Sequence, residues 1–462
     1  MELSIQEYLS SLKGKRVAVL GIGVSNTPLI KMLLRAGVKV TACDKSDRAK
    51  LDGVAEELES LGAELCLGED YLEHLKGHNV IFRTPGMRPD LPQLVAAQEN
   101  GALLTSEMEV FFQVCPCPII AVTGSDGKTT TTTIIAKLLE AAGYSTYLGG
   151  NIGKPLLADA VGMEPGDVAV VELSSFQLMT MDRSPHIAVV TNLAPNHLDV
   201  HKSMGEYVSA KANIFLHQKP GDKVVLNFDN PLTRSYQELA PAGITWFSRR
   251  EPLETGVYLK NNAIWYNSAD GVRREVLPLE DIMLPGDHNI ENYMAAIAAV
   301  DGLVSDGIVR DFARSFGGVE HRIELVRERN GVKYYNDSIA SSPSRTIAGL
   351  RSFDQKVILI AGGYDKHIPF EPLGPEVIEH VKALVLTGDT AEKLRAAVEG
   401  TEGYDGTPAI TIVNDFQEAV LAADRLAQPG DIVLLSPACA SFDRFKNFAQ
   451  RGETFKRIVL GL

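Results

Sequence analysis

Ile119-Ile-Ala-Val-Thr-Gly-Ser-Asp-Gly-Lys-Thr-Thr-Thr-Thr-Thr-Ile-Ile135 is the stretch from which the fold is read. Its first four residues, Ile119 to Val122, are apolar and mostly β-branched, which predicts a strand buried on both faces. Gly124, Gly127, Lys128 and Thr129 follow, and then Ile134, Ile135, Leu138 and Leu139 recur at helical spacing. Strand, glycine loop, Lys-Thr and helix together form the layout of a phosphate-binding loop. Glycines let backbone N–H groups turn inward around phosphate oxygens, and the helix N-terminus adds partial positive charge. Lys128 would neutralise the transferring phosphate, and the Thr129 hydroxyl would ligate Mg²⁺. The spacing is shorter than the usual Gly-x4-Gly-Lys-[Ser/Thr], because only Ser125 and Asp126 separate the two glycines. A tight turn with an exposed lysine is the plainer alternative. Five consecutive threonines, however, are poor helix formers, so their hydroxyls answer to something other than helix stability.

Downstream, Gly149-Gly-Asn151-Ile-Gly153 is a second glycine-rich turn. Asp167 to Leu173 reads as a buried strand with Glu172 near its end, and His186 to Leu193 as another that leads to His197. Ligands bind beyond the carboxyl ends of strands in open α/β sheets, where the loop, Glu172 and His197 all fall. A carboxylate in an apolar run is costly unless paired or metal-bound, which makes Glu172 a candidate Mg²⁺ ligand and His197 a metal or catalytic candidate. Lys211 lies in a polar helical stretch and reads, from its neighbours alone, as a solvated lysine. Strand signals run from Lys223 to Trp265, with a hairpin at Asn261-Asn262. The helix after Leu284 carries Asn289 and Asn292 on one face, and amides suit the mixed donors and acceptors of a purine.

Upstream, Arg16 to Leu20 and Lys39 to Cys43 read as strands flanking Gly21-Ile-Gly-Val-Ser-Asn26. A Gly-x-Gly turn followed by Asp44 resembles half of a dinucleotide-binding unit, but Asn26 stands where a third glycine belongs. Such a turn still suits a diphosphate, with Asp44 accepting from a ribose or uracil group. Further strands at Glu64–Leu67, Val80–Arg83 and Leu103–Thr105 complete a small parallel unit ending near Cys117. Beyond Val319 comes a hairpin turning at Asn330-Gly331. Strands at Val357–Ile360, Leu384–Leu386, Ile410–Val413 and Ile432–Leu435 then alternate with helices, which is another parallel α/β unit.

The bulk composition fits this picture. The chain has 462 residues, enough for several domains, and a net charge of −14. An acidic surface argues against nonspecific nucleic-acid binding and docking on anionic lipid, so an anionic ligand must meet locally placed Lys and Arg. No apolar run reaches the length of a membrane span, and the first residues do not read as a signal peptide. The five cysteines, with Cys115 and Cys117 around a proline, read as buried thiols of a reducing compartment. The expected location is cytoplasmic. The residues themselves point to an ATP- or GTP-using, Mg²⁺-dependent enzyme and leave the acceptor open.

A resemblance narrows this. Thr123-Gly-Ser-Asp-Gly-Lys-Thr-Thr130, Gly150-Asn-Ile-Gly153, Asn196-His-Leu-Asp199, His288-Asn-Ile-Glu-Asn292, Glu320-His-Arg322, Asn336-Asp-Ser338 and Ser436-Pro-Ala-Cys-Ala-Ser-Phe-Asp443 occur in this order. The series resembles the Mur ligases along essentially the whole chain. The last motif, running on through Lys446-Asn-Phe448 and Arg451-Gly-Glu453, is similar to the D-glutamate-adding branch. The resemblance implies three α/β domains: a Rossmann-like 1–117 for the UDP substrate, a central P-loop ATPase-type 118–318, and a Rossmann-like 319–462 for the amino acid.

The activity it implies is ATP-dependent ligation of D-glutamate to UDP-N-acetylmuramoyl-L-alanine through an acyl phosphate, in peptidoglycan precursor synthesis, by a monomer. Gly124, Ser125, Asp126, Gly127, Lys128, Thr129 and Thr130 would then hold the ATP phosphates. Asn289, Asn292, His321, Arg322 and Asp337 would frame the adenine and ribose. Thr129 and Glu172 would hold one Mg²⁺, and His197 a second. Lys211, carbamylated in the family, would help position metal. Ser25, Asp44, Lys45 and Ser46 would face the uridine diphosphate, and Asn151 the muramoyl part. Ser341, Lys366, Ser441, Phe442 and Phe448 would form the D-glutamate pocket.

Three positions depart from the family pattern: Ile339 where lysine is common, Tyr364 where aspartate is, and Asn196 for aspartate before His197. The loss at 339 leaves Lys366 as the main cation named for the D-glutamate carboxylates. Another amino-acid-adding ligase of the superfamily, such as a folylpolyglutamate synthase, is the alternative. A guanine-nucleotide switch would carry Asn-Lys-x-Asp, a string the chain lacks.

Overall fold

The computed structural model describes residues 3–51, 53–194, 201–366 and 368–462. Among them the strands form three sheets. The first takes β1 (Arg16–Leu20), β2 (Lys39–Asp44), β3 (Glu64–Leu67), β4 (Val80–Phe82) and β5 (Leu103–Thr105) in the order β3-β2-β1-β4-β5, every pairing parallel. The chain winds outward from β1 to one side and then returns to the other. The Gly21 turn after β1 therefore lies at the point where the strand order reverses, where α/β sheets take ligands.

The second sheet contains β6 (Ile119–Thr123), β7 (Thr146–Gly150), β8 (Val168–Glu172), β9 (Ile187–Val190), β10 (Lys223–Asn227), β11 (Gly243–Ser248), β12 (Gly256–Lys260), β13 (Ala263–Asn267) and β14 (Arg273–Pro278). Their order is β14-β13-β12-β11-β10-β9-β6-β8-β7. β6 is central and wholly buried, as its run of β-branched residues dictates. The outer β12-β13-β14 meander is antiparallel. Its first turn places both Asn261 and Asn262 at positive φ, 49° and 56°, the geometry that a two-residue hairpin requires.

The third sheet contains β15 (Glu324–Arg329), β16 (Val332–Asn336), β17 (Val357–Ala361), β18 (Val381–Leu386), β19 (Ala409–Ile412) and β20 (Ile432–Leu435), in the order β15-β16-β20-β17-β18-β19. Only the β15 edge is antiparallel, joined to β16 through the expected Asn330-Gly331 turn. β20 inserts between β16 and β17, which brings the loops after all three together at one sheet end.

By internal contacts the chain divides into two compact units, Met1–Asp281 with Ile290–Phe312, and Ile282–Asn289 with Ala313–Leu462. The first holds two sheets over one continuous apolar core, whose members run from Ile5 on the N-terminal helix to Tyr236. Sheet ends differ from expectation in one informative place. β9 stops at Val190 rather than Leu193, because the side chains of Thr191 and Asn192 turn to hold the glycine loop after β6 at Asp126. Cys43, Cys115, Cys117 and Cys439 are buried free thiols and Cys66 is partly buried. Among the described residues no helix is long and apolar enough to cross a membrane.

Candidate active site

The loop after β6 is built to hold its backbone open. Gly124 has φ 153° and Gly127 φ 77°, and a Cβ at either would overlap a neighbour, Thr191 Oγ1 and Asn292 Oδ1 respectively. The helix Lys128–Ala141 starts on Gly127 with no side chain capping its first N–H groups, which leaves those donors to a ligand. Thr191 Oγ1 donates to the Asp126 carbonyl at 2.6 Å, and Asp126 N–H donates to Asn192 Oδ1 at 2.9 Å. Ser125 is turned inward: its hydroxyl meets Ala194 O at 2.9 Å and Tyr207 OH at 2.9 Å. It anchors the loop from beneath. Lys128 folds across the loop, donating to Gly124 O at 3.0 Å and Ser125 O at 2.8 Å.

Four of the five threonines are accounted for. Thr129 Oγ1 donates to Glu172 Oε2 at 2.7 Å and Thr131 Oγ1 to Asn292 Oδ1 at 3.2 Å. Thr132 and Thr133 bond back to the carbonyls of Lys128 and Thr129, 2.8 Å each. Glu172, 1% exposed, also accepts from Asn151 Nδ2 at 2.8 Å. Strand register produces this meeting, because Glu172 pairs with Val122 on one side and Gly150 on the other. Thr129, Glu172 and Asn151 present neutral and anionic oxygens, a hard donor set that fits Mg²⁺.

Lys211 overturns the solvated reading. The helix Met204–Leu216 turns Tyr207, Ala210, Lys211, Ile214 and Phe215 inward, and Lys211 is 1% exposed. Its amine donates to Thr123 Oγ1 at 3.0 Å and lies 4.9 Å from the centre of the Tyr207 ring. Burial, with the like charge of Lys128 nearby, holds its pKa well below the ordinary lysine value. His197, with Asn196 and Asp199, lies outside the described residues.

At the first sheet, Asp44 engages two backbone amides. Its Oδ2 accepts from Ile22 N–H at 2.6 Å and its Oδ1 from Ser46 N–H at 2.7 Å, so it shapes the Gly21 turn. Asn26, in place of the third glycine, donates to Leu20 O at 2.8 Å and is buried. Ser25 caps nothing with its side chain, and Lys45 pairs with Glu69 at 3.2 Å on the surface.

In the second unit, His321 has φ 63° and meets Asn336 Nδ2 through Nδ1 at 2.9 Å, with Arg322 exposed beside it. Asp337 is buried and accepts from Ser436 Oγ at 2.7 Å, and burial pushes its pKa up to about 7. Asn289 donates to Pro285 O at 2.7 Å. Lys366 Nζ reaches Ser341 O at 3.3 Å and Ser341 Oγ at 3.4 Å. Ser441 is buried, and Phe442, 62% exposed, packs edge-on against Tyr364 with ring centres 5.9 Å apart. Phe448 opens the last helix, and its carbonyl accepts from Ser338 Oγ at 2.8 Å.

Sequence reading gave no role to Arg451, which binds this end of the unit together. Buried, it donates to Ser338 Oγ and O, Ala440 O and Cys439 O at 2.8–3.1 Å. Thr123, Thr191, Asn192 and Tyr207 were also missed, because nothing local in the sequence marks them.

Residues 15–106 match the "Mur ligase MurD-like, N-terminal domain" model, 122–300 the "Mur ligase middle domain", and 321–439 the "Mur ligase, glutamate ligase domain". The chain is similar to the UDP-N-acetylmuramoylalanine–D-glutamate ligase of Acetivibrio thermocellus, 53% identical with 99% of each chain covered. The chain belongs to the Mur ligase family. The enzyme of the same description from Clostridium botulinum is 52% identical to this Mur ligase over the full length of both. Among solved structures, the UDP-N-acetylmuramate-alanine ligase of Thermotoga maritima shares its fold, with TM-score 0.58 at 18% identity, covering 97% of this chain and 99% of that one.

Proposed function

We propose that this Mur ligase joins D-glutamate to UDP-N-acetylmuramoyl-L-alanine with hydrolysis of ATP to ADP and phosphate. The observation that carries this reading is the end-to-end likeness, above 50% identity, to ligases of that description. An amine does not readily displace oxide from a carboxylate. The γ-phosphoryl group is therefore transferred to the alanyl carboxylate first, the D-glutamate amine attacks the acyl phosphate carbon, and phosphate leaves with the C–O bond electrons. The protein's part is positioning and charge neutralisation.

The Gly124–Thr130 loop binds the phosphates, the Ser125 and Asp126 N–H groups being held by Asn192, and Lys128 leaves the carbonyls it now spans to pair with the β/γ oxygens. Thr129 and Glu172 hold Mg²⁺, which when bound neutralises the phosphate oxygens, and His197 holds a second ion. Asn151 turns between Glu172 and the muramoyl substrate. Lys211 is carbamylated: its depressed pKa leaves the neutral amine that adds to CO₂, and the carbamate replaces a buried cation by an anion next to the metal oxygens. Asn289, Asn292, His321, Arg322 and Asp337 receive adenine and ribose. Ser25, Asp44, Lys45 and Ser46 receive the uridine diphosphate, Asp44 through the turn it shapes. Ser341, Lys366, Ser441, Phe442 and Phe448 receive D-glutamate. The boundaries proposed for these tasks are 1–117, 118–318 and 319–462. The chain acts in the cytoplasm as a monomer.

Phosphate release is the test. With ATP, Mg²⁺ and UDP-N-acetylmuramoyl-L-alanine, release is expected with D-glutamate and not with L-lysine, meso-diaminopimelate or L-glutamate. Turnover with L-lysine and none with D-glutamate would sink the reading.

A further inference from the structure

We propose that Arg345 is a second carboxylate-binding cation of the amino-acid site, sharing with Lys366 the recognition of a dicarboxylate. The inference rests on the reading of that site given above. Three loops of the second unit meet there: Ile339–Ser341 after β16, Tyr364–Lys366 after β17, and Ala440–Phe448 after β20. Tyr364 N–H donates to Ala440 O at 2.9 Å, and Ser341 N–H turns back to Ile339 O at 2.8 Å. Lys366 approaches this turn through Ser341 O and Oγ. Arg345 approaches it too, its Nη1 donating to Ile339 O at 3.2 Å. Two exposed cations thus converge on one three-residue turn of a chain whose net charge is −14.

Local structure does not explain this arginine. Arg345 lies in the first turn of the helix Pro343–Leu350, where a cation opposes the helix dipole. Its bond to Ile339 O uses one of five guanidinium donors, and the planar fork suits a carboxylate. The chemistry needs a second charge. An amino-acid dicarboxylate attacks through a neutral amine, so the reacting species carries two negative charges and no compensating ammonium. Ile339 itself is apolar, and Lys366 is one charge. Arg345 supplies the other from the next helix, at the carbonyl of the residue that lacks it. A competing role exists, since Arg345 and Arg322 both place positive charge near buried Asp337. That role would act on the nucleotide side.

Steady-state kinetics of the full chain separate the two. Arg345→Ala is expected to raise the KM for D-glutamate at least tenfold, with kcat and the KM for ATP within threefold of the parent. Arg345→Lys should recover most of the loss, and Arg345→Gln serves as the neutral variant should the alanine form melt early. A D-glutamate KM within twofold of the parent overturns the proposal. So does an equal rise in the KM for ATP, which would assign Arg345 to Asp337. A parent chain that does not turn over D-glutamate fails on the reading of the site, before any variant is compared.

Discussion

Lys211 and Asp44 are residues whose roles were set by their partners. Lys211 sits among small and polar neighbours in sequence, yet its helix rotates it against Thr123 and Tyr207, out of water. An ammonium there has the Thr123 hydroxyl as acceptor and the Tyr207 ring face, thin compensation for a buried charge. A carbamate would extend toward the Thr129–Glu172 pair and turn the local charge negative. Lys211→Ala is accordingly expected to lose activity on the order of a hundredfold, and short carboxylic acids such as acetate should restore part of it by entering the vacated volume. Full activity without added acid would refute the carbamate. Asp44 teaches the converse. A residue chosen as a ligand acceptor already receives two backbone amides, so on the proposed function its effect on the uridine diphosphate would pass through the turn that it closes.

At the scale of the element, the helix Lys128–Ala141 has two ends of different kinds. Its start is a pair of glycines pressed against Thr191 and Asn292. Its far end is followed by Gly143, with φ 92° and no atom near a would-be Cβ. The contrast gives an internal control. Gly124→Ala should abolish measurable ligation, because the added methyl overlaps Thr191 Oγ1 and displaces the N–H groups that face the phosphates. Gly143→Ala should cost about 1 kcal/mol of stability from its left-handed backbone alone and keep the KM for ATP. Melting temperatures and ATP kinetics of the two variants decide the matter; comparable losses of ligation in both would mean that the loop geometry is not special. β9 makes the same point by stopping early. The side chains of Thr191 and Asn192, just past its end, brace the glycine loop after β6.

Within the first unit, the first and second sheets are joined by polar groups as well as by apolar core. Arg83, buried, donates to Met87 O at 3.1 Å on its own side and to Phe176 O at 3.3 Å and Thr180 Oγ1 at 2.5 Å on the other. Arg88 pairs with Glu206 at 2.9 Å. Glu107, at the start of its helix, accepts from Leu157 N–H at 2.7 Å, and burial pushes its pKa up to about 7. A carboxyl whose pKa is raised on folding favours the folded state least when ionised. Its contribution is intact below the unfolded value of about 4.5 and is lost as the pH rises through about 7. Glu107→Gln keeps the acceptor oxygen and cannot ionise. The variant should therefore gain stability relative to the parent as pH rises from 5 to 8, by on the order of 2 kcal/mol at the upper end. Thermal melts across that range check this, and a difference independent of pH would show that Glu107 is not the titrating group.

What the sequence determined by itself was local and periodic. The β-branched run before Gly124, the Asn261-Asn262 and Asn330-Gly331 turns, and the alternation of strands with helices are short-range consequences of backbone sterics and of which faces are apolar, so they could be read from neighbours. The glycine loop between β6 and the helix that follows belonged to this class, as did the placing of Glu172 at a strand end. Tertiary structure decided what depends on register and on side chains distant in sequence. Glu172 meets Thr129 and Asn151 only because β8 lies between β6 and β7. Lys211 is buried rather than solvated only because its helix packs against the end of β6, at Thr123. Arg451 acquires its partners in Ser338, Cys439 and Ala440 only where the loops after β16 and β20 converge. The Glu172–Asn151, Glu172–Thr129, Lys211–Thr123 and Arg451–Ser338 bonds join residues 21 to 113 positions apart, and pairwise contact at that separation is fixed by the order of strands in a sheet, which no local pattern of residue types encodes.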